Sequence, residues 1–567
     1  IFLFGMLFLE EGFKAFTGGL LEKLLKRTTS GLGKSIGFGI VTTTVMQSSS
    51  LVSVITISFL SAGLIGLAEG IGIIFGANIG TTTGAWLVAG LGLKVNIAAY
   101  AMPMLVFGVI LVLQSSRTLK GVGYVLAGLG FLFLGIHHMK EGFEAFRETV
   151  DLAAFAMTGY AGLFVYTGIG LFATVVMQSS HATLVLIITA LASGQITYEN
   201  GLALAIGANI GTTITAIIGA ISANHQGKRL AGAHLIFNVI TGVVAIAFIH
   251  QLTWAVDAVA AGSGISADDY TLKLAVFHTI FNVIGVVIMA PLTGRLVEFL
   301  ERAVPAPRED LAQPQFLNEA VVEFPETLLE AVRNEAIHLY DNAMEILAHG
   351  LSLHRHHIHS DVDLEEWTRK DRTVFEFDLD TIYMRKVKVL FAAIVEYISR
   401  IQNQLPPEYA NDIYELRKAC GDIVQGVKDV KHLRKNMSLY VKSDNEDIRR
   451  EYNRLRVVLG QMMRTVDLVR QDGDFDALDL DDFKLAMESD NAAANGTLDA
   501  LIRDRRITAV MATSLMNDID YARDLVWNLS EVGAVLFGAR DQEDRAAEML
   551  IALDQDDIED MASDGAK

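Results

Sequence analysis

Twice in this chain a block of uncharged hydrogen-bonding side chains interrupts sequence apolar enough for a membrane. Gln47-Ser48-Ser49-Ser50 is followed by Gly76-Ala77-Asn78-Ile79-Gly80-Thr81-Thr82. Gln178-Ser179-Ser180 and Gly207-Ala208-Asn209-Ile210-Gly211-Thr212-Thr213 repeat both elements at a constant offset of 131 residues. A lone Ser or Thr in a membrane helix bonds back to its own i−4 carbonyl and needs no further account. A Gln beside consecutive serines cannot all be satisfied that way. Buried polar groups without partners are costly, so the chain must break there, bind something polar there, or both. The duplication makes coincidence a poor explanation.

The 567 residues are 51% hydrophobic, with a mean hydropathy of +0.37, and charge is unevenly spread. Residues 1–303 carry 15 Lys+Arg against 14 Asp+Glu, leaving 31 against 52 for the rest, so the net charge of −20 belongs to the C-terminal part. This predicts two domains in different solvents, a membrane domain and an acidic soluble one. The acidic balance argues against nucleic acid as a partner. The single cysteine, Cys420, excludes an intrachain disulfide and suits a reducing compartment. The chain opens at Ile1 inside an apolar segment, which leads us to expect residues before it.

The pattern predicts a polytopic all-α membrane domain over 1–302. Repeat one covers about 1–120, repeat two about 131–252, and 274–294 forms a final helix. Residues 36–67 and 162–193 are apolar but broken centrally, which fits re-entrant helical hairpins better than straight spans. Residues 70–93 and 201–222 carry the second element, whose glycines suggest close backbone approach and a local break. Further spans are expected at 95–113, 121–137 and 231–252. Loops at 17–35 (Lys23, Lys26, Arg27, Lys34), 114–120, 223–230 and 295–302 are basic, hence cytoplasmic; 253–272, with Asp257, Asp268 and Asp269, belongs outside. An odd number of crossings then separates the copies, the inverted-repeat plan of many secondary transporters. Pro305, Pro307 and Pro314 mark a linker at 303–320. Residues 321–553 read as an antiparallel helical bundle. One stripe runs Leu329, Val332, Ala336, Tyr340, Ala343, Leu347, and a second runs from Ile413 through Leu416, Cys420, Ile423, Val427, Val430, Leu433 and Met437 to Tyr440. An acidic tail, 554–567, reads as disordered.

The oxygens of Gln47, Ser48, Ser49, Ser50, Asn78, Thr81 and Thr82, and of Gln178, Ser179, Ser180, Asn209, Thr212 and Thr213, together with carbonyls freed at a break, suit a hard monovalent cation such as Na+. Helix N-termini at the same breaks suit an anion. Neither block holds Arg or Lys, so an anionic substrate would rely on dipoles and co-bound cations. Tight packing through Gly76/Gly80 and Gly207/Gly211 is the plainer reading of the second element, but packing alone requires neither the Asn nor the Thr pair.

These paired motifs resemble the sodium/phosphate cotransporter type II family over roughly residues 1–300. The resemblance implies Na+-coupled movement of inorganic phosphate by alternating access, in the cell (inner) membrane, with substrate and Na+ between the two hairpins. It carries onto Gln47, Ser48, Ser49, Ser50, Gln178, Ser179 and Ser180; His181 departs from it, standing where a third serine is usual. The C-terminal bundle resembles PhoU-like regulatory domains, implying a cytoplasmic domain with a regulatory partner or a homodimer. No cofactor beyond Na+ as coupling ion is implied. Rival readings are a cotransporter of another small anion (sulfate or a carboxylate) and a non-transporting membrane sensor. No nucleophile–base set or phosphate-cradling Gly-Lys-Ser/Thr loop points to an enzyme.

Several other groups carry a plain reading. His234 and His278, each four residues before Asn238 and Asn282, read as structural. Glu11 and Glu141 read as helix-end residues, and His354, His356, His357 and His359 as a solvated loop. Glu376 and Asp380 read as an acidic pair on one helix face, the kind of face that carries metals in PhoU-like domains.

Overall fold

The computed structural model describes residues 1–17, 31–92, 98–147, 156–306, 313–319, 322, 324–472, 477–489, 496–538 and 558. Lys23, Lys26, Arg27, Pro307 and the acidic tail, apart from Ile558, lie outside the described residues. Among the described residues every regular element is helical. The chain divides into two compact units, Ile1–Pro307 with Asn318–Leu328, and Arg308–Leu317 with Leu329–Lys567.

In the first unit six helices are long and apolar enough to cross a membrane: Leu67–Gly90, Thr118–Ala145, Gly159–Met177, Tyr198–Ile221, His225–Ala247 and Tyr270–Ala303. Their outward faces carry large apolar side chains such as Phe164, Phe172 and Val176, as lipid contact requires. Both Gln-Ser blocks break their helices. Leu32–Met46 gives way to Ser49–Ser61, and Gly159–Met177 gives way to Ser180–Ala192. The second arm in each copy has 13 residues, about 20 Å of helix against the ~30 Å of a bilayer core, and cannot span alone. In the second copy the chain folds back on itself, because Thr174 Oγ1 lies 3.0 Å from Thr183 Oγ1, nine residues on. A continuous helix would separate them by about 13 Å along its axis. The first copy has Thr43 and Val52 in the same register, so Thr43 Oγ1 is left buried without a partner.

The Gly-Ala-Asn-Ile-Gly elements differ over the expected local break. Leu67–Trp86 runs unbroken through Gly76–Gly80, and Tyr198–Gly211 runs through Gly207 and ends at Gly211, with a new helix from Thr213. The break is thus missing from the first copy only, while the expected close approach of the glycines is present in both. A Cβ on Gly76 would fall 2.0 Å from the Ile36 carbonyl oxygen, and one on Gly207 would fall 1.9 Å from that of Thr167. These are the same contact in two copies, since Ile36 and Thr167 are also 131 residues apart. The first arm of each broken pair is thereby clamped against the following long helix.

Two sequence expectations for the extramembrane segments shift. Asp257 sits on a helix, Ile249–Gly262, and pairs with Lys273 at 2.9 Å, while Asp269 caps Tyr270–Met289. Glu141 lies within Arg117–Arg147, bonded to His137 and His138.

The second unit is a bundle built on the Pro325–Gly350 helix from Leu329 onward, with Ala410–Tyr440, Glu446–Asp472 and Ala509–Phe537. Every residue of the Ile413-to-Tyr440 stripe is buried. Arg456 and Glu335, among the buried charged groups of this unit, have matched partners. Arg456 donates to the Leu351 and Ser352 carbonyls at 3.0 and 2.9 Å. Glu335 accepts the backbone N–H groups of Gln315, Phe316 and Leu317 at 2.8, 2.7 and 3.3 Å. The histidine segment is more ordered than a solvated loop: His357 is buried against Trp367, and His359 Nδ1 lies 2.5 Å from Asp467 Oδ2. No helix runs from Glu376 to Asp380, and Asp380 pairs with Lys431 at 2.5 Å.

Candidate functional site

The two breaks have the same backbone geometry to within a few degrees. Gln47 has φ 53°, ψ 21° and Gln178 has φ 53°, ψ 23°, both in the left-handed region that side-chain-bearing residues seldom occupy. Ser48 and Ser179 then turn extended, and each hydroxyl caps the next helix by accepting an N–H, from Leu51 and from Ala182, at 3.2 Å in both cases. The block thus has a local logic. Gln takes the strained position, the following Ser caps, and the next residues open a helix. The N–H groups of Ser49 and Ser50, and of Ser180 and His181, are the first of their helices and have no intrahelical acceptor.

Both caps face one cavity of about 490 Å³ whose lining includes Glu10, Ser48, Ser50, Gln178, Ser179 and Thr215. Two helix N-termini with their positive dipole ends converge there. The copies meet reciprocally. Ser50 of the first accepts from Thr215 Oγ1 of the second at 3.2 Å. In the mirror relation, His181 of the second copy stands against Gly84 of the first, where an added Cβ would lie 2.2 Å from Cε1. Positions 50 and 181, and 84 and 215, are each 131 apart. A contact that recurs with partners exchanged is the mark of an approximate two-fold relation between the copies. The pair is Ser with Thr on one side and His with Gly on the other, so the larger imidazole is accommodated by deleting a side chain opposite.

Gln47 differs from its counterpart. Its Nε2 donates to the Thr44 carbonyl at 2.5 Å and to Thr83 Oγ1 at 3.1 Å. Ile214 occupies the register of Thr83, and Gln178 is left exposed to the cavity. The remaining residues singled out by sequence point elsewhere. Ser49 and Ser180 are buried at the helix starts. Thr81, Thr82, Thr212 and Thr213 bond the carbonyls of Ala77, Ile79, Ala208 and Ile210, three or four residues back along the chain, as does Asn78 to Ile74. Asn209 instead donates to Asn238 and Asn282 at 3.0 and 3.2 Å, joining it to the buried His234 and His278 helices. Two cavity residues escaped sequence reading. Glu10 accepts from Ser48 at 2.6 Å, and Thr215 lies just past the Thr pair. Glu10 gave no signal because a carboxylate in the middle of an apolar helix reads as part of its polar end.

Residues 1–141 and 152–267 match the family described as Na+/Pi-cotransporter. Among curated relatives, the uncharacterized protein YqeW of Bacillus subtilis is 28% identical over 54% of this chain and 95% of its own length. YjbB, named "Putative inorganic phosphate export protein", is 25% identical in Salmonella typhimurium over 71% of this chain and 69% of its own. The Escherichia coli K12 protein of that name is 24% identical over 71% and 70%. No solved structure matches the chain.

Proposed function

We propose, from the premise that residues 1–141 and 152–267 match the Na+/Pi-cotransporter family, that the protein moves inorganic phosphate across a membrane in company with Na+. It is a membrane transport protein and not an enzyme. The observation that carries the reading is the convergence of two N-capped helix starts on one cavity, each delivered by a Gln in left-handed geometry. Free N–H groups and positive helix ends suit a tetrahedral oxyanion. Because the lining holds no Lys or Arg among the described residues, an anion bound there needs a cation beside it, which makes Na+ coupling electrostatically favourable. The left-handed breaks and the reciprocal pairing support a site shared by two repeats that rock about it, the inverted-repeat form of alternating access. The helical unit after the linker fits a PhoU-like regulatory domain on the cytoplasmic side of the cell (inner) membrane.

The test is ³²P-phosphate flux into proteoliposomes with and without a Na+ gradient, with sulfate and a carboxylate as competitors. We expect Na+-stimulated flux competed only by phosphate, reduced at least a hundredfold in both Gln47→Ala and Gln178→Ala. Undiminished flux in both variants would remove the breaks from the site, and competition by sulfate would change the substrate.

A further inference from the structure

Helix starts give the large cavity its donors, but one group in its lining can only accept. Among the described residues Glu10 is the one ionisable side chain there, and a carboxylate has lone pairs and no proton to give. One of its oxygens takes the Ser48 hydroxyl at 2.6 Å, and the other has no partner among the described residues. The carboxylate stands on a firmly seated helix, Phe2–Thr17. A Cβ on Gly5 or Gly12 would fall 2.5 or 2.8 Å from backbone atoms of Arg117–Arg147, so the two helices touch main chain to main chain. The group is not repeated. Gly5, Gly12 and Phe13 recur as Gly135, Gly142 and Phe143, and in that register Glu10 corresponds to Lys140, which lies 3.9 Å from Glu144. The cavity therefore has paired donors and a single negative acceptor.

We propose that Glu10 selects the anion by its proton: the free carboxylate oxygen accepts a hydrogen bond from the hydroxyl of phosphate and excludes oxyanions that carry none. The proposal rests on the transport reading above and deepens it. Inorganic phosphate at neutral pH keeps at least one P–OH, whereas sulfate, of the same shape and similar size, is fully deprotonated. Both can take N–H groups from the helix starts on bare oxygens. Beside Glu10 they part. Phosphate turns its hydroxyl to the carboxylate and donates a charge-assisted hydrogen bond. Sulfate sets lone pairs against lone pairs with no proton between them, a contact of like charges that nothing offsets. A site built around a hydrogen bond rejects the analogue that cannot make it far more strongly than a pocket rejects one of slightly different size. The asymmetry fits the same ligand. Paired helix starts meet equivalent bare oxygens, and the unrepeated carboxylate meets an oxygen that differs from them.

The experiment measures ³²P-phosphate binding to the purified full-length protein in Na+ buffer at neutral pH, with phosphate, arsenate, sulfate and selenate as competitors. Phosphate and sulfate are the smaller pair, arsenate and selenate the larger, and in each pair only the first carries a hydroxyl. We expect phosphate and arsenate to compete at least a hundredfold better than sulfate and selenate. Glu10→Gln keeps the size and the acceptor for Ser48 but offers an N–H to a bare oxygen, and it should narrow that ratio at least tenfold. Glu11→Gln, one residue on, should leave the ratio at the wild-type value. Should Glu10→Gln not fold, Glu10→Ala removes the same charge and should narrow the ratio likewise. Wild-type competition that follows anion size, or a wild-type ratio in whichever of these variants folds, overturns the proposal. Flux of ³²P-phosphate into proteoliposomes separates it from the transport reading. If the protein discriminates through Glu10 yet moves no phosphate, the transport reading fails and the selectivity stands. If it moves phosphate and Glu10→Gln still excludes sulfate at the wild-type ratio, the reverse holds.

Discussion

Position 84 is glycine in the first copy, and its missing Cβ is what admits the His181 ring, which is itself buried. The sequence alone marked His181 as an oddity, a histidine where a serine was expected. Its compensation at Gly84 could not be read, since the two are 97 residues apart and only the fold brings them together. The pairing predicts a coupled outcome. Gly84→Thr alone should cost about 1–3 kcal/mol through overpacking and lose flux. Adding His181→Ser recreates the Ser50–Thr215 arrangement and should recover at least ~1 kcal/mol. Thermal unfolding of both variants in detergent checks it; a double variant no more stable than Gly84→Thr would show that the pairing is not what fixes either residue. Gln47 and Gln178 carry the second lesson of this kind. Their residue type was legible as polar and out of place, but the left-handed backbone that makes them turn points was not, because most residues in that conformation are glycine.

Among the helices, the broken pairs and the long helices that clamp them form the repeated unit. The breaks at Gln47 and Gln178 were readable because polar residues in the middle of an apolar run cannot stay in one spanning helix. The glycines of the second element were read as close approach and a local break; the close approach holds in both copies, but the first copy has no break, because a helix tolerates glycine when a neighbouring backbone needs the space. Gly76→Ala and Gly207→Ala should each destabilise the first unit by more than about 2 kcal/mol, because their Cβ atoms would meet a carbonyl at 2.0 and 1.9 Å. Gly168→Ala, with nothing within 4 Å of its Cβ, should be neutral or mildly stabilising. Thermal stability of the purified protein measures all three, and equal effects at Gly168 and Gly207 would refute the clamp.

For the molecule as a whole, the charge asymmetry separates a unit built for lipid from one built for water, and each answers to pH by its own groups. In the second unit burial pushes the Asp429 carboxyl up from its ordinary 3.8 to about 6, against hydrogen bonds from Gln425 and Asn528; burial likewise raises Asp518 to about 6, against its bond from Tyr452. Raised folded-state values mean that the folded unit holds extra protons between about pH 4 and 6. The linked stability is present below that window and lost as pH rises through it. Hydrogen exchange along Ala410–Tyr440 and Ala509–Phe537 in the full chain should therefore show lower protection at pH 7.5 than at pH 5 after correction for intrinsic rates, by on the order of 1–2 kcal/mol. Asp429→Asn and Asp518→Asn should each flatten the difference, and a profile unchanged in both would assign it elsewhere. Composition, apolar runs and the repeat offset were enough to imply an all-α membrane protein with a duplicated polar element and a helical soluble part, because hydrocarbon imposes its demands residue by residue along the chain. The site itself waited for the tertiary structure. Its walls come from Glu10 on the first helix and from both breaks, and which of many buried hydroxyls turn into a shared cavity rather than back to their own carbonyls depends on contacts between residues far apart in sequence.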